Sequence, residues 1–449
     1  MNTSVTRQVS FFGLIALLVL AFAVGGGGSR AGLANLLVQL GAIAVLMLHR
    51  DAFVRFWFES PLALRTLIGV SLLLPVIQII PLPPAVWSAL PGRELVTRSL
   101  ETVGAGSSWM AFSLYPQRSL LASTALVTPL AVLIAGWTLP RHKLLDIGWV
   151  VVGLGLVTTL LGLAQLGATG DDGTLFGARN PGTILLGTFA NRNSTGLFLG
   201  FALALAALLP APKPHPAMLL IRLAVCGVLL ITIVLTKSRT AMALAMLPVA
   251  LAGIKLLWWG LRSRIEAGGA AKRPFAVALG AMALLAVGGS ALIVAAPGPI
   301  GEALARFDAK DDPRRYIWDD AAYTATRYWP LGAGMGTFDE VFQVDESLEN
   351  LTKRTAGRAH NDWLELAIEA GLPGLTLAVL WVGLIGWLTW RARQSSQRWV
   401  AWSGSAFLLA IALQSITDYP LRNQTILAFA GFALLLLTRI ASEQGRARS

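Results

Sequence analysis

Charge and cysteine are what this chain has least of. Only 13% of its 449 residues are Asp, Glu, Lys or Arg, about half the roughly 25% of an ordinary soluble domain. So few charges cannot cover a water-facing surface of this size, which argues against a soluble multidomain enzyme. A hydrophobic content of 55% excludes intrinsic disorder, which needs the opposite balance. The single cysteine, Cys226, lies in an apolar run and excludes a disulfide framework or a cysteine-ligated zinc site. Also missing are a Gly-rich phosphate loop, an HExxH pair and a Gly-x-Ser-x-Gly nucleophile turn.

What is present is apolar sequence in runs of about 20 residues, enough helix to cross roughly 30 Å of hydrocarbon. The runs lie near 10–29, 31–48, 66–86, 119–139, 144–166, 190–209, 217–236, 239–260, 274–296, 373–390, 399–417 and 424–440. None shows strand-type alternation, and an open sheet cannot satisfy its backbone in lipid. The sequence therefore predicts an all-α polytopic membrane protein of about 12 transmembrane helices, with 1–449 forming a single integral membrane domain. The first run is followed at once by a second, without a small-residue cleavage site, so it reads as a helix rather than a cleaved leader. The Gly25–Gly28 run reads as a flexible break with little functional content.

The formal charge of +12 comes from 36 basic against 24 acidic residues. With the N-terminus in the cytoplasm, the short cytoplasmic segments hold Arg7, Arg50, Arg55, Arg141, Lys143, Lys213, Arg262, Arg264, Lys272, Arg273, Arg391, Arg393, Arg398, Arg446 and Arg448. The excess is thus a positive-inside signature rather than nucleic-acid affinity, and both termini are expected in the cytoplasm. One long segment, 298–372, falls outside; from 298 to 360 it carries eight basic and eleven acidic residues. Helical spacing over Ala303–Arg327 and turn residues at Pro330, Gly332, Gly334 and Gly336 predict a folded periplasmic cap with short helices.

Polar residues at the outer membrane edge are the informative ones. Arg192, between Asn191 and Asn193, opens the sixth run. It is either a snorkelling interfacial arginine or an anion ligand at a helix N-terminus, where the dipole also favours negative charge. Lys237 and Arg239 occupy a very short outer turn, against the positive-inside trend. They suit a phospholipid headgroup or a phosphate-bearing ligand. Arg314 and Arg315 precede Trp318; guanidinium suits bidentate phosphate contact, although Asp311, Asp312, Asp319 and Asp320 could pair with them instead.

In the block from Arg358 to Gly374, Asp362 followed by Glu365 fits a capping box, and Gly371 with Pro373 ends a short helix over 362–370. His360 precedes that helix, whose dipole disfavours imidazolium and leaves the ring able to accept a proton. The other histidines, at 49, 142 and 215, fall on the cytoplasmic side. Asn361 stands next to His360 as a supporting residue, and Asp418, in the last outer turn, can orient His360, balance an arginine or cap a helix end. Asp171–Asp172 and Asp319–Asp320 are weak metal candidates, since arginines crowd the same surface and neutralise phosphate themselves. No metal or other cofactor is expected. Arginines and one neutral histidine at the membrane edge suit a lipid-anchored diphosphate: the arginines stabilise the charge left on it, and the histidine takes a proton from an acceptor hydroxyl.

FANRNSTG at 189–196, TKSRTA at 236–241, RRYIWDDA and WPLGAGMGTF within 314–338, and HNDWLELAIEAGLPG at 360–374 carry a family resemblance. The chain resembles bacterial O-antigen ligases of the wider O-antigen ligase/polymerase superfamily. That resemblance implies a C-type glycosyltransferase-like membrane fold in the bacterial inner membrane. It implies inverting, metal-independent transfer of O-antigen polysaccharide from undecaprenyl diphosphate to lipid A–core. His360 resembles the proposed base, and Arg192, Arg239 and Arg314 or Arg315 resemble the diphosphate ligands. The implied partners are the undecaprenyl-diphosphate-linked O-antigen, the lipid A–core acceptor and membrane lipids, with no nucleic acid. An O-antigen polymerase and a protein O-oligosaccharyltransferase share much of this pattern. A twelve-span secondary transporter is the non-enzyme alternative, but it should show repeat halves and a polar site at the midplane.

Overall fold

The computed structural model describes residues 3–167, 184–211, 216–266, 314–350 and 356–446. The expected span 274–296, the loop up to residue 313, Lys213, Lys272, Arg273 and the Asp171–Asp172 pair lie outside the described residues. In chain order the helices are α1 (Thr3–Val24), α2 (Gly32–Leu48), α3 (Arg50–Glu59), α4 (Leu62–Ile77), α5 (Pro84–Ser88), α6 (Glu94–Thr102), α7 (Pro116–Ala125), α8 (Val127–Trp137), α9 (Arg141–Gly167), α10 (Arg192–Leu208), α11 (Pro216–Leu235), α12 (Arg239–Leu244), α13 (Met246–Glu266), α14 (Arg314–Tyr328), α15 (Phe338–Phe342), α16 (Asp362–Ala392), α17 (Arg398–Gln414) and α18 (Gln424–Arg446). Among the described residues the only sheet is a two-stranded antiparallel pair, Pro81–Leu82 with Met110–Ala111.

The all-helical membrane reading holds. Among the described residues seven helices are long and apolar enough to cross a membrane, and eight if the bent pair α2–α3, which turns by 81°, is one span. Leu62–Ile77 and Arg192–Leu208 are apolar but shorter.

Several boundaries differ from expectation. The run expected at 66–86 is helical only over Leu62–Ile77, because Pro81, Pro83 and Pro84 supply no N–H for a continuing ladder. Arg50 and Arg55 stand on the helix α3, not in a plain loop. The run 119–139 is two helices meeting at Leu126.

The Gly25–Gly28 run is also not a loose break. Gly25 and Gly26 are buried, and the Gly26 carbonyl accepts from Ala190 N (3.0 Å) and from Asn423 Nδ2 (3.0 Å). A side chain at Gly26 would strike the Thr188 carbonyl, so glycine here permits close approach of three chain segments.

Helix α10 lies at the centre, with Phe198, Leu199, Leu203 and Leu205 all fully or almost fully buried among α9, α11, α13 and α17. A second, smaller core lies in the expected cap, formed by Ala321, Tyr328, Ala333, Phe338, Val341, Phe342, Ala359 and Ile368. So the described part of the long segment is folded and packs on the start of α16. Arg93, fully buried, ties the 78–115 region to this cap. Its guanidinium donates to the carbonyls of Pro91 (3.1 Å), Phe112 (2.8 Å) and Gly332 (3.4 Å). Burial pushes its pKa down to about 10, which leaves it charged at neutral pH.

Candidate active site

The site forms where four helix ends meet: the starts of α10, α12 and α16 and the turn from α17 to α18. Asn191 caps α10, its Oδ1 accepting from Asn193 N at 2.8 Å. That cap fixes both asparagine amides on one carboxylate: Asn191 Nδ2 and Asn193 Nδ2 donate to Asp418 Oδ2 at 3.0 and 2.7 Å. Ser238 caps α12 by accepting from Ala241 N at 3.2 Å, and its hydroxyl donates to Asn193 Oδ1 at 2.7 Å. The NRN and KSR motifs are therefore joined through Asn193, which is buried.

His360 meets Asp418 from the other side, with Nδ1 3.4 Å from Oδ1. The imidazole is one-third exposed (34%), whereas Asp418 is 1% exposed. Burial alone would raise the Asp418 pKa. Hydrogen bonding to His360 and Asn193 and the charges of His360 and Arg314 outweigh it and hold the carboxyl below its usual range. The Tyr419 ring packs on His360 at a centroid distance of 4.9 Å, and its hydroxyl is pushed up to about 12, first by burial and then by Asp418.

The arginines divide. Arg314 donates from its guanidinium to the Thr417 carbonyl at 2.8 Å, one residue before Asp418. Arg315 is exposed. Arg192 and Arg239 are the first residues of α10 and α12, each half-buried and one residue from the Asn191–Asn193–Ser238 cluster. Lys237 is buried at 3% exposure with a positive φ of 52°.

The expected capping box is corrected. Asn361, extended at φ −159°, is the cap of α16, accepting from Leu364 N at 3.1 Å. Asp362 lies inside the helix, and its carboxylate instead accepts from Ser415 Oγ (3.0 Å) and faces Arg422 (3.8 Å). The break at Gly371 is as expected: it takes φ 55° and approaches the Pro330 carbonyl too closely for a side chain. Asp320, one of the weak metal candidates, accepts from Ser347 N (3.1 Å) and from the Ser347 hydroxyl. Asp319 is exposed. Among the described residues no three His, Cys, Asp or Glu side chains are grouped to hold a metal ion.

Sequence reasoning missed the support beneath His360. The Ala359 N–H donates to Glu365 Oε1 at 2.9 Å, and its carbonyl accepts from Trp318 Nε1 at 2.8 Å. Both polar groups of the residue before His360 are thereby clamped by side chains. Glu365 and Glu369 are fully buried and share Arg422, whose guanidinium lies 3.2 and 2.7 Å from them; Arg358 lies 3.1 Å from Glu365. Burial works against the charge on Arg422, but Glu369, Glu365 and Asp362 together raise its pKa. The signal was present: acids at 362, 365 and 369 fall on one helical face at i, i+3 and i+7.

The fold and the site define a helical membrane protein with a histidine–aspartate pair and cationic side chains at one end of its helices. The O-antigen ligase family model matches residues 224–379 and supports the superfamily resemblance read from the sequence. That stretch contains Arg239, Arg314, Arg315 and His360, while Arg192 and Asp418 lie outside it. No curated protein matches the chain. A solved structure described as "Structural coordination of polymerization and crosslinking by a peptidoglycan synthase complex" aligns with 16% identity, a TM-score of 0.41, and coverage of 86% of this chain and 100% of the other. A likeness so slight carries no argument.

Proposed function

We propose that the protein is an O-antigen ligase. It moves O-antigen polysaccharide from undecaprenyl diphosphate to lipid A–core on the periplasmic face of the bacterial inner membrane. In this reading the fold is a twelve-span, C-type glycosyltransferase-like bundle with cytoplasmic termini. The observation that carries the proposal is the His360–Asp418 contact of 3.4 Å, held by the same two asparagines that flank Arg192.

A proton on Nδ1, facing the buried carboxylate, leaves Nε2 as the acceptor and stabilises the imidazolium that forms, the role an aspartate takes in a nucleophile-activating triad. His360 then takes the proton of the acceptor hydroxyl as its oxygen attacks the anomeric carbon. The bond from that carbon to the diphosphate oxygen breaks, and direct displacement inverts the centre. Arg192, Arg239 and Arg314 hold the diphosphate and stabilise the charge it gains, with exposed Arg315 and buried Lys237 adding to the positive field. Because guanidinium groups can supply this neutralisation, the reaction is proposed to need no metal.

The test is transfer by the purified protein from lipid-linked O-antigen to lipid A–core, with and without EDTA. Transfer that persists in EDTA with an inverted linkage is expected. Loss in EDTA with rescue by Mg²⁺ or Mn²⁺ would overturn metal independence. Extension of a second lipid-linked glycan, with lipid A–core left unmodified, would identify a polymerase instead.

A further inference from the structure

The stretch 184–190, which leads into α10, runs without helix and is nevertheless buried from Leu185 to Phe189. Irregular backbone in an interior is unusual, because each N–H and C=O needs a partner that no helix supplies. Here one side chain supplies two of them. Gln165 stands in the last turn of α9 and is 7% exposed. Its Nε2 donates to the Gly187 carbonyl at 2.8 Å, and its Oε1 accepts from the Gly187 N–H at 2.8 Å. The amide thus exchanges both bonds with one residue, as a paired strand would. Gly187 takes φ 64°, and a side chain on it would come within 2.7 Å of the Thr158 methyl, so only glycine brings this backbone so close to α9.

From Gly187 the connection continues to the candidate site. The adjacent Leu186 carbonyl accepts from Thr195 Oγ1 at 2.9 Å. Thr195 is fully buried in the first turn of α10, the turn that Arg192 opens. Asp418 holds this turn through Asn191 and Asn193, and Ser238 holds it from α12. Gln165, Gly187, Leu186 and Thr195 form the tie from the same turn to α9.

We propose that Gln165 is a positioning residue for Arg192. By gripping both polar groups of Gly187 it sets the seat of the 184–190 stretch. Through Thr195 it sets where the first turn of α10 presents its guanidinium. The inference rests on the reading of Arg192 as a diphosphate ligand. Guanidinium–phosphate contacts are directional and weaken steeply when misaligned, so Gln165 governs donor affinity without touching the donor. A glutamine that served stability alone would shift the thermal midpoint, and its effect on affinity would not depend on Arg192.

The full-length protein in detergent is titrated with undecaprenyl diphosphate, and the thermal midpoint of each variant is recorded alongside. Q165M fills similar space without the two bonds, and T195V removes the next link with less disturbance to folding. Each should weaken binding about 3- to 10-fold, the worth of a hydrogen bond. R192Q alone should weaken it about 10-fold or more, with Arg239 and Arg314 left to keep binding measurable. In the R192Q background neither Q165M nor T195V should weaken binding further. T159V removes a buried bond of 3.0 Å from α9 to Thr232 on α11 and should leave affinity at the wild-type value. Wild-type affinity in both Q165M and T195V would overturn the inference. So would an equal loss with and without Arg192, or the same loss in T159V, either of which would reduce the effect to general stability. Wild-type affinity in R192Q would remove the diphosphate reading of Arg192 itself, and the inference with it.

Discussion

His360 holds a φ of 52°, a left-handed conformation that non-glycine residues rarely adopt and that persists only where the surroundings enforce it. The enforcement is visible. Glu365 and Trp318 hold Ala359 on one side, and on the other Asn361 caps α16 while Asp362 N donates to the Ser415 carbonyl at 2.8 Å. Replacing His360 with Ala should leave donor binding in place and cut turnover by about 10²–10⁴; near-normal turnover would remove the base assignment. Trp318→Phe keeps the ring but loses the N–H that holds Ala359. Turnover should fall about 3- to 10-fold, the equivalent of one hydrogen bond, with KM unchanged; a rise in KM alone would assign Trp318 to binding. Asp418 allows a pH test. Its carboxyl titrates below the ordinary 3.8, so its stabilising contribution is complete above that value and is lost only as pH falls through the lowered one. The thermal destabilisation of Asp418→Asn relative to wild type should therefore shrink as pH falls through that lowered value.

At the scale of elements, the start of α16 is held by charge packed inside protein. Arg422 is 17% exposed and meets three carboxylates. Removing one partner of such a network costs about 3–5 kcal/mol, because the remaining charges stay buried without compensation. Arg422→Met should accordingly lower the thermal midpoint sharply, and adding Glu369→Gln should recover part of the loss; strict additivity in the double variant would show that the two do not act together. The sequence made this helix legible in outline: its break at Gly371 and the position of His360 just outside it follow from local rules. Which residue caps it did not follow, because Asn361 and Asp362 are equally good capping types and only the bond from Asp362 N to α17 decides between them. The glycine run at 25–28 was misread for a related reason. Its packing partners, Thr188 and Asn423, are remote in sequence, and nothing local distinguishes a packed glycine turn from a loose one.

Across the whole molecule, the alignment of helices places Arg141, Arg262, Arg391, Arg393 and Arg398 at the opposite end from the Asp418 turn. In the proposed topology that end faces the cytoplasm, as the positive-inside rule leads one to expect. In a Cys226→Ser background, Leu348→Cys, at a position 83% exposed in the cap, should react with a membrane-impermeant thiol reagent in intact cells stripped of their outer membrane. Ser396→Cys, in the exposed α16–α17 turn, should react only after the inner membrane is opened, and the reverse pattern would invert the topology. The site was legible at this scale as a set of motifs on one face. The pairing of His360 with Asp418 was only one of three options for that aspartate, since no sequence rule measures the distance between residues 58 positions apart.

The carbonyl of Gly26, bonded to both Ala190 and Asn423, makes the first glycine turn a buttress for the candidate site. A chain shortened through that glycine turn, or one in which the first helix is exchanged for an unrelated anchor, should still insert in the bilayer. It should lose turnover all the same, since the stretch beside Asn191 and the turn after Asp418 would no longer be moored to each other.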